Sequence, residues 1–206
     1  MTIHSRLPRF LLLIGMLTGM LTGMLTGAPA AHAQHPADHW EFSLQSGYLK
    51  KVKNNSPFDY RIVPTQAVWR SPTVFDLWQG ESGARLTVRN RFAAVFETFA
   101  RGPEDYYLAF TAAPTLELWA ADQKTALFYE IGGGAGLLDS KNVQGGQGQN
   151  LAFNWVTQAG LRRQLSNTLA LTGGVYFTHH SNLGMTSPNP GIDVLGLTVG
   201  LVWRLD

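Results

Sequence analysis

The sequence predicts an all-β fold, an eight-stranded antiparallel up-and-down outer-membrane β-barrel. Large apolar residues alternate with small or polar residues along several segments, the two-residue period of strands that face lipid on one side. No apolar run of about 18 residues follows the N-terminal segment, so we expect no membrane-spanning helix. The chain contains no cysteine, which suits a sheet that closes on itself without disulfides.

The N-terminal segment is typical of an export signal. Arg6 and Arg9 precede an apolar stretch that ends at a small-x-small cleavage site, Ala31-His32-Ala33. We therefore predict a signal peptide over residues 1–33 and a single β-barrel domain over residues 34–206.

The charge balance narrows the choice of partners. The formal net charge is +2, and removing the two arginines of the predicted signal, which has no acidic residue, lowers it to 0 (+2 − 2). We therefore expect no nucleic-acid partner. Periplasmic, secreted and outer-membrane proteins remain, and the alternation favours the last of these.

Eight strands are predicted, and their patterns differ in quality. They span residues 40–52, 58–70, 84–98, 106–119, 126–137, 151–164, 167–181 and 192–204. The second strand is the weakest because Pro64 interrupts it, and the segment 71–83 is long for a turn and compatible with an extended strand. Aromatic residues near the strand ends suit interfacial girdles: Trp40, Tyr48, Tyr106, Tyr107, Trp119, Trp155 and Trp203.

The third to fifth strands place their charges on one face. These charges lie opposite the large apolar residues: Arg89, Arg91, Glu97, Glu117 and Glu130. A soluble barrel would show the reverse arrangement, with charges outside and large apolar residues inside. Eight strands enclose only enough space for side chains, so we expect these charges to pair across a filled lumen.

The last two strands have the clearest alternation. The seventh carries large apolar residues on the face that ends with His179 and Ser181, and the eighth opens with Asp193 on the equivalent face. In barrels of this class both termini lie on the periplasmic side. The seventh strand therefore ends at the outer surface, and residues 183–191 form an extracellular loop.

These three residues have the types that a serine hydrolase needs. His179 and Ser181 are two apart on a strand, so both side chains leave the same face. A histidine can take the proton of a serine hydroxyl near neutral pH, and Asp193 could orient the imidazole. The oxyanion needs donors, for which Asn182 and nearby backbone N–H groups are candidates. We expect no metal and no cofactor.

A second interpretation treats these residues as polar side chains at the level of the lipid headgroups. The alternation directs His180 into the lumen, so it is a poor candidate for catalysis. His179 and His180 leave opposite faces of the strand, so the two rings are poorly placed to bind one metal ion. His35 and His39 have helical ligand spacing, but they lie in a polar segment that we expect to be frayed.

At this motif the chain resembles the PagL-type lipid A 3-O-deacylases, a family of outer-membrane barrels. That family carries H-x-S-N at the end of the seventh strand, then P-N-x-G and an acidic residue. Here His179-His180-Ser181-Asn182, Pro188-Asn189-Pro190-Gly191 and Asp193 fall on those places. The run Gln149–Asn154, followed by Gly160-Leu161, is similar to the family's sixth strand. The likeness is tight over about residues 150–194 and only architectural before them.

The resemblance implies roles for five residues. His179 would be the base, Ser181 the nucleophile and Asp193 the orienting acid, one methylene shorter than the glutamate of the family. Asn182 would help to form the oxyanion site, and Asn189 would support the loop. The implied reaction is hydrolysis of the 3-hydroxyacyl ester at the 3-position of lipid A. Its partners would be lipopolysaccharide as substrate and outer-membrane lipids, and a homodimer stays open.

Two other functions remain compatible with the sequence. One is a structural or adhesion barrel in which the three residues are incidental. The other is a barrel esterase that acts on phospholipids or other acyl esters. The predicted outer loops near 53–57, 99–105 and 138–150 are modest in length, which favours an enzyme over an adhesin.

Overall fold

The computed structural model describes residues 35–52 and 56–205, and the predicted signal peptide lies outside these residues. The described chain opens with a single-turn 3-10 helix, Pro36–Asp38. Nine strands follow: β1 Trp40–Lys51, β2 Arg61–Arg70, β3 Phe75–Gln79, β4 Arg85–Arg101, β5 Tyr106–Trp119, β6 Thr125–Leu138, β7 Leu151–Gln164, β8 Leu169–Ser181 and β9 Ile192–Leu205. No helix in this part of the chain is long and apolar enough to cross a membrane.

Eight of the strands close into an antiparallel barrel, which confirms the predicted fold. Consecutive strands pair from β4 to β9, β9 pairs with β1, and β1 pairs with β2. β2 then pairs with the outer part of β4 and completes the ring. Pro64 lies in β2 opposite Glu97 without ending the strand.

The remaining strand, β3, lies outside this ring of eight. It falls in the segment 71–83, whose length for a turn made an extended strand compatible with the sequence. It pairs with residues 85–88 of β4, on the edge of β4 that β2 leaves free. All five of its residues are exposed. β3 therefore extends the wall of the barrel beyond the end of β2 at Arg70.

Alternation along the strands sorts side chains between lipid and lumen as predicted. The lumen charges Arg89, Arg91 and Glu97 are fully buried. Arg91 pairs with Glu130 at 2.9 Å, and Arg89 pairs with Glu117 at 3.4 Å. The predicted pairing across the lumen is therefore present.

Glu41 joins two further arginines in the same network. Its carboxylate binds the Arg89 guanidinium at 2.8 Å and also the Arg162 guanidinium. Arg70 contacts Glu130 at 3.2 Å. Because isolated charges are costly inside a protein, these groups are stable there only as a set.

Two of the predicted girdle residues belong to the lumen instead. Tyr107 and Trp119 are fully buried, whereas the other five girdle residues are exposed. Tyr107 follows the outward Tyr106, and Trp119 follows the outward Leu118, so the strand period turns both side chains inward. The Trp119 indole N–H donates to Glu117 at 2.9 Å.

The segment expected to be frayed is instead packed at the inner end of the barrel, so that prediction was wrong. The Ala37 N–H donates to the His35 ring at 3.1 Å, and the His35 and Trp119 rings stack edge to face at 4.9 Å. The Ala37 carbonyl accepts the Thr73 N–H at 2.9 Å. Burial lowers the pKa of His35 to about 4, so it packs as a neutral ring.

Glu41 offers a direct test of the lumen network. Glu41→Gln leaves Arg89 and Arg162 without their shared carboxylate, so we expect the free energy of unfolding to fall by about 3–5 kcal/mol. Urea unfolding of the refolded barrel in lipid vesicles measures this change. Glu81→Gln makes the same substitution in an exposed turn and should change stability by less than about 0.5 kcal/mol. Equal losses in the two variants would contradict the role of the network.

Candidate active site

The outer ends of β8 and β9 bring His179 and Asp193 together. The two residues are directly opposite in the ladder. The His179 Nδ1 atom contacts the Asp193 carboxylate, with side chains 29% and 22% exposed. Because the register places the two residues face to face, the shorter acid reaches the imidazole.

Gly191 lets the chain pass close to the His179 ring. Its φ is +73°, and a Cβ atom there would lie 3.2 Å from the ring. A larger residue would be strained and would press on the imidazole. The Nδ1 contact leaves His179 Nε2 as the ring nitrogen available to another group.

Ser181 lies beyond His179 on the same face of β8 and is 8% exposed. Its hydroxyl accepts a hydrogen bond from the Leu183 N–H at 3.3 Å. Among the described residues it donates to no acceptor, and no hydrogen bond joins it to His179. The Ser181 proton is therefore not committed elsewhere.

Asn182 is fully buried and holds the loop that follows β8. Its side-chain amide donates to the Gln147 carbonyl at 2.5 Å and to the Thr186 carbonyl at 2.7 Å. Its side-chain oxygen accepts the Gly184 N–H at 2.8 Å, and its own backbone N–H donates to Asn189 Oδ1 at 3.0 Å. These contacts leave no Asn182 donor free for an oxyanion.

Leu183 supplies the backbone N–H that points at Ser181. Its φ is +55°, a left-handed conformation that is uncommon for a residue with a branched side chain. The turn is held by the Asn182 contacts, which fix the residues on both sides. Strained backbone of this kind often marks a functional turn.

A family model described as lipid A 3-O-deacylase (PagL) matches residues 58–202, more than half of the chain. The chain belongs to the PagL family. This membership confirms the prediction of an ester hydrolase located in the outer membrane. The roles of His179, Ser181 and Asp193 stay predictions.

One solved structure gives a fold-level likeness, and a second is reported beside it. The crystal structure of the outer membrane enzyme PagL is 22% identical, with a TM-score of 0.55, and the match covers 78% of this chain and 97% of that chain. The outer membrane protein Ail of Yersinia pestis, in a phospholipid nanodisc, is 16% identical with a TM-score of 0.35, over 80% of this chain and 99% of that chain. No curated protein sequence matches the chain.

In this PagL-family chain, three buried residues support the loop of Asn182: Gln147, Ser140 and Glu104. The Gln147 N–H donates to Ser140 Oγ at 2.7 Å, and the Ser140 hydroxyl donates to the Glu104 carboxyl at 2.9 Å. A Cβ atom at Gly146 would lie 2.4 Å from Ser140 Oγ, so the chain there has no room for a side chain. Three outer loops therefore meet beneath the candidate site.

Sequence reasoning missed Glu104, Ser140 and Gln147. They lie in loops, where neither strand period nor motif spacing marks a residue. The one sequence signal near them is the run of glycines around Gln147. Glycines allow backbone to approach neighbouring groups closely, but the sequence alone does not say which groups these are.

His180 lies on the opposite side of the wall, as the alternation predicts. It is fully buried, its Nε2 atom is 3.0 Å from Glu97, and its ring meets Tyr107 edge to face at 4.6 Å. Among the described residues, no group of three or more His, Cys, Asp or Glu side chains is placed to hold a metal ion.

Aromatic side chains border the site on the lipid side. Trp155 is opposite His179 in the ladder, and their ring centroids are 6.3 Å apart. Phe177 packs against Trp155 at 4.8 Å. The candidate site therefore lies at the edge of an apolar surface.

The carboxyl of Glu104 makes the loop junction sensitive to pH. Burial raises its pKa, and the titratable groups that face it are Tyr60 and His180. Its neutral form is the one that suits the folded loops, so its contribution is full at low pH and falls as pH rises through the raised pKa. We expect trypsin cleavage after Lys141, relative to cleavage after Lys124 in an exposed turn, to increase with pH.

Glu104→Gln is the matched variant for this measurement. It keeps an oxygen for the Ser140 hydroxyl and cannot ionise, so the ratio of the two cleavages should stay flat with pH. If the cleavage ratio rose equally with pH in the wild type and in Glu104→Gln, the pH dependence would belong to another group.

Proposed function

We propose that this protein hydrolyses the 3-O-linked 3-hydroxyacyl ester of lipid A through Ser181, His179 and Asp193. The observation that carries the proposal is the contact between His179 and Asp193 at the outer, lipid-facing end of the barrel. A carboxylate that holds an imidazole has a clear catalytic use, because it fixes the tautomer and stabilises the imidazolium. Membership of the PagL family supports the choice of substrate.

The contact between His179 and Asp193 supports the following roles. His179 Nδ1 faces Asp193, so His179 Nε2 is the atom that accepts the Ser181 proton. Ser181 Oγ then attacks the carbonyl carbon of the ester. The imidazolium returns the proton to the sugar oxygen, which leaves as an alcohol. Water, activated by the same imidazole, hydrolyses the acyl-serine and releases the fatty acid.

The oxyanion requires a donor close to Ser181. The side chain of Asn182 was the candidate from the sequence, but its amide hydrogens already bind loop carbonyls. The Leu183 N–H, which points at Ser181 Oγ, is the better placed donor. Asn182 and Asn189 would then act by holding the turn that aims this N–H.

Removing the nucleophile or the base tests the reaction. Ser181→Ala or His179→Ala should lower the rate of deacylation by about 10⁴-fold or more, because each member is needed for the covalent route. Mass spectrometry of lipid A incubated with the refolded protein measures loss of one 3-hydroxyacyl mass. Ser46→Ala is a matched control, since Ser46 is also outward-facing but lies on β1. Full activity of Ser181→Ala would exclude the triad, and release from phospholipid alone would favour the other esterase function.

The role of the acid can be tested separately. Asp193→Asn keeps the shape of the side chain but removes its charge, so the rate should fall by about 10²–10⁴-fold while the barrel stays folded. The rate of fatty-acid release and heat-dependent mobility in gel electrophoresis give the two readouts. An unchanged rate would mean that another group orients His179.

A further inference from the structure

Lys50 is a cation on the lipid-facing wall beside the candidate site. It is exposed on the outward face of β1 and lies opposite Leu195 of β9. One step further along the ladder, the Val52 N–H donates to the Asp193 carbonyl at 2.9 Å. Lys50 is therefore the diagonal neighbour of Asp193, a separation of about 7–8 Å that a lysine side chain can span.

Among the cations that point outward from the described strands, Lys50 is the one without an acidic partner. Arg61 and Arg101 both contact Asp59, and Arg163 contacts Asp122 at 2.9 Å. Within residues 35–52 and 56–205, Lys50 makes no ion pair, and its ammonium lies over the Tyr48 ring at 5.9 Å from the centroid.

An unpaired lysine on this surface is free to bind an anion. A charge on the lipid face of a barrel is unfavourable at depth and tolerated near the interface, where the ammonium can extend to the headgroups. Lipid A carries phosphate groups on its sugars, at the same level as the ester to be cleaved. A phosphate held by Lys50 would place the sugar across the outer ends of β1, β9 and β8.

We propose that Lys50 binds a phosphate group of the substrate and thereby positions the acyl ester over Ser181. This inference rests on the proposed function and adds a recognition element to it. The ligand chemistry is a sugar-linked phosphate monoester in the outer leaflet. The competing anion is the phosphodiester of an ordinary phospholipid around the barrel.

The test compares Lys50→Gln and Lys50→Arg on lipid A with both phosphates and on the same lipid after dephosphorylation. Lys50→Gln should raise KM about tenfold on the phosphorylated lipid, with little change in kcat, because a charge-assisted contact is lost. On the dephosphorylated lipid, wild type and variant should have the same KM. Lys50→Arg keeps the charge and should restore most of the binding.

Lys141→Gln is the matched control. It removes the same charge from an exposed outer loop and should leave KM unchanged. An equal rise in KM for Lys141→Gln would mean that any positive charge near the outer loops attracts the anionic lipid, and this result would overturn the proposal. A fall in kcat without a change in KM for Lys50→Gln would also overturn it, since Lys50 would then act on Asp193.

A binding measurement separates this inference from the proposed function. In the Ser181→Ala background, retention of phosphorylated lipid A in detergent should fall with Lys50→Gln, whereas retention of phosphatidylglycerol should not. Equal falls for both lipids would assign Lys50 to the surrounding membrane. If wild type released no fatty acid, the proposed reaction would fail, and the binding result alone would decide the role of Lys50.

Discussion

The closed hydrogen-bonded ring of eight strands is the constraint on which the rest of this structure depends. Once β2 pairs with β4, the barrel is closed. Whether a strand side chain points into the lumen or towards the lipid is then fixed by its place in the two-residue period. The inward positions must then fill a narrow space, and the chain fills it with arginines that share carboxylates. The outward positions meet lipid, so the wall can expose large apolar residues without cost.

The candidate site follows from the same ring. Register between β8 and β9 places His179 opposite Asp193, and the next outward position on β8 is Ser181. The strands thus position all three candidate residues. The loop contributes the turn at Leu183, and a buried chain from Glu104 to Asn182 holds that turn. The barrel wall therefore holds the candidate residues, and the outer loops, which contact one another, shape the edge of the site.

Strand positions and side-chain directions could be predicted because a strand imposes a simple period on the sequence. That period separated His179 from His180 and directed Glu97, Arg89 and Arg91 inward. Where no period exists, prediction failed. The packed segment at His35 was expected to be frayed, and Glu104 was not singled out at all, because loop contacts depend on the three-dimensional path of several chains. Tyr107 and Trp119 were misplaced because aromatic residues near strand ends suggested girdles, although the period turned them inward.

The filled lumen has a consequence for the supply of reactants. Arg89, Arg91, Glu97 and His180 are fully buried across the barrel, so its interior provides no passage between the two sides of the membrane. In the proposed reaction, the water that completes a turnover would reach Ser181 from the cell exterior, and both products would be released on the side where the ester is cleaved. The catalyst would thus draw no material from the periplasm and would remodel one leaflet in isolation from the other.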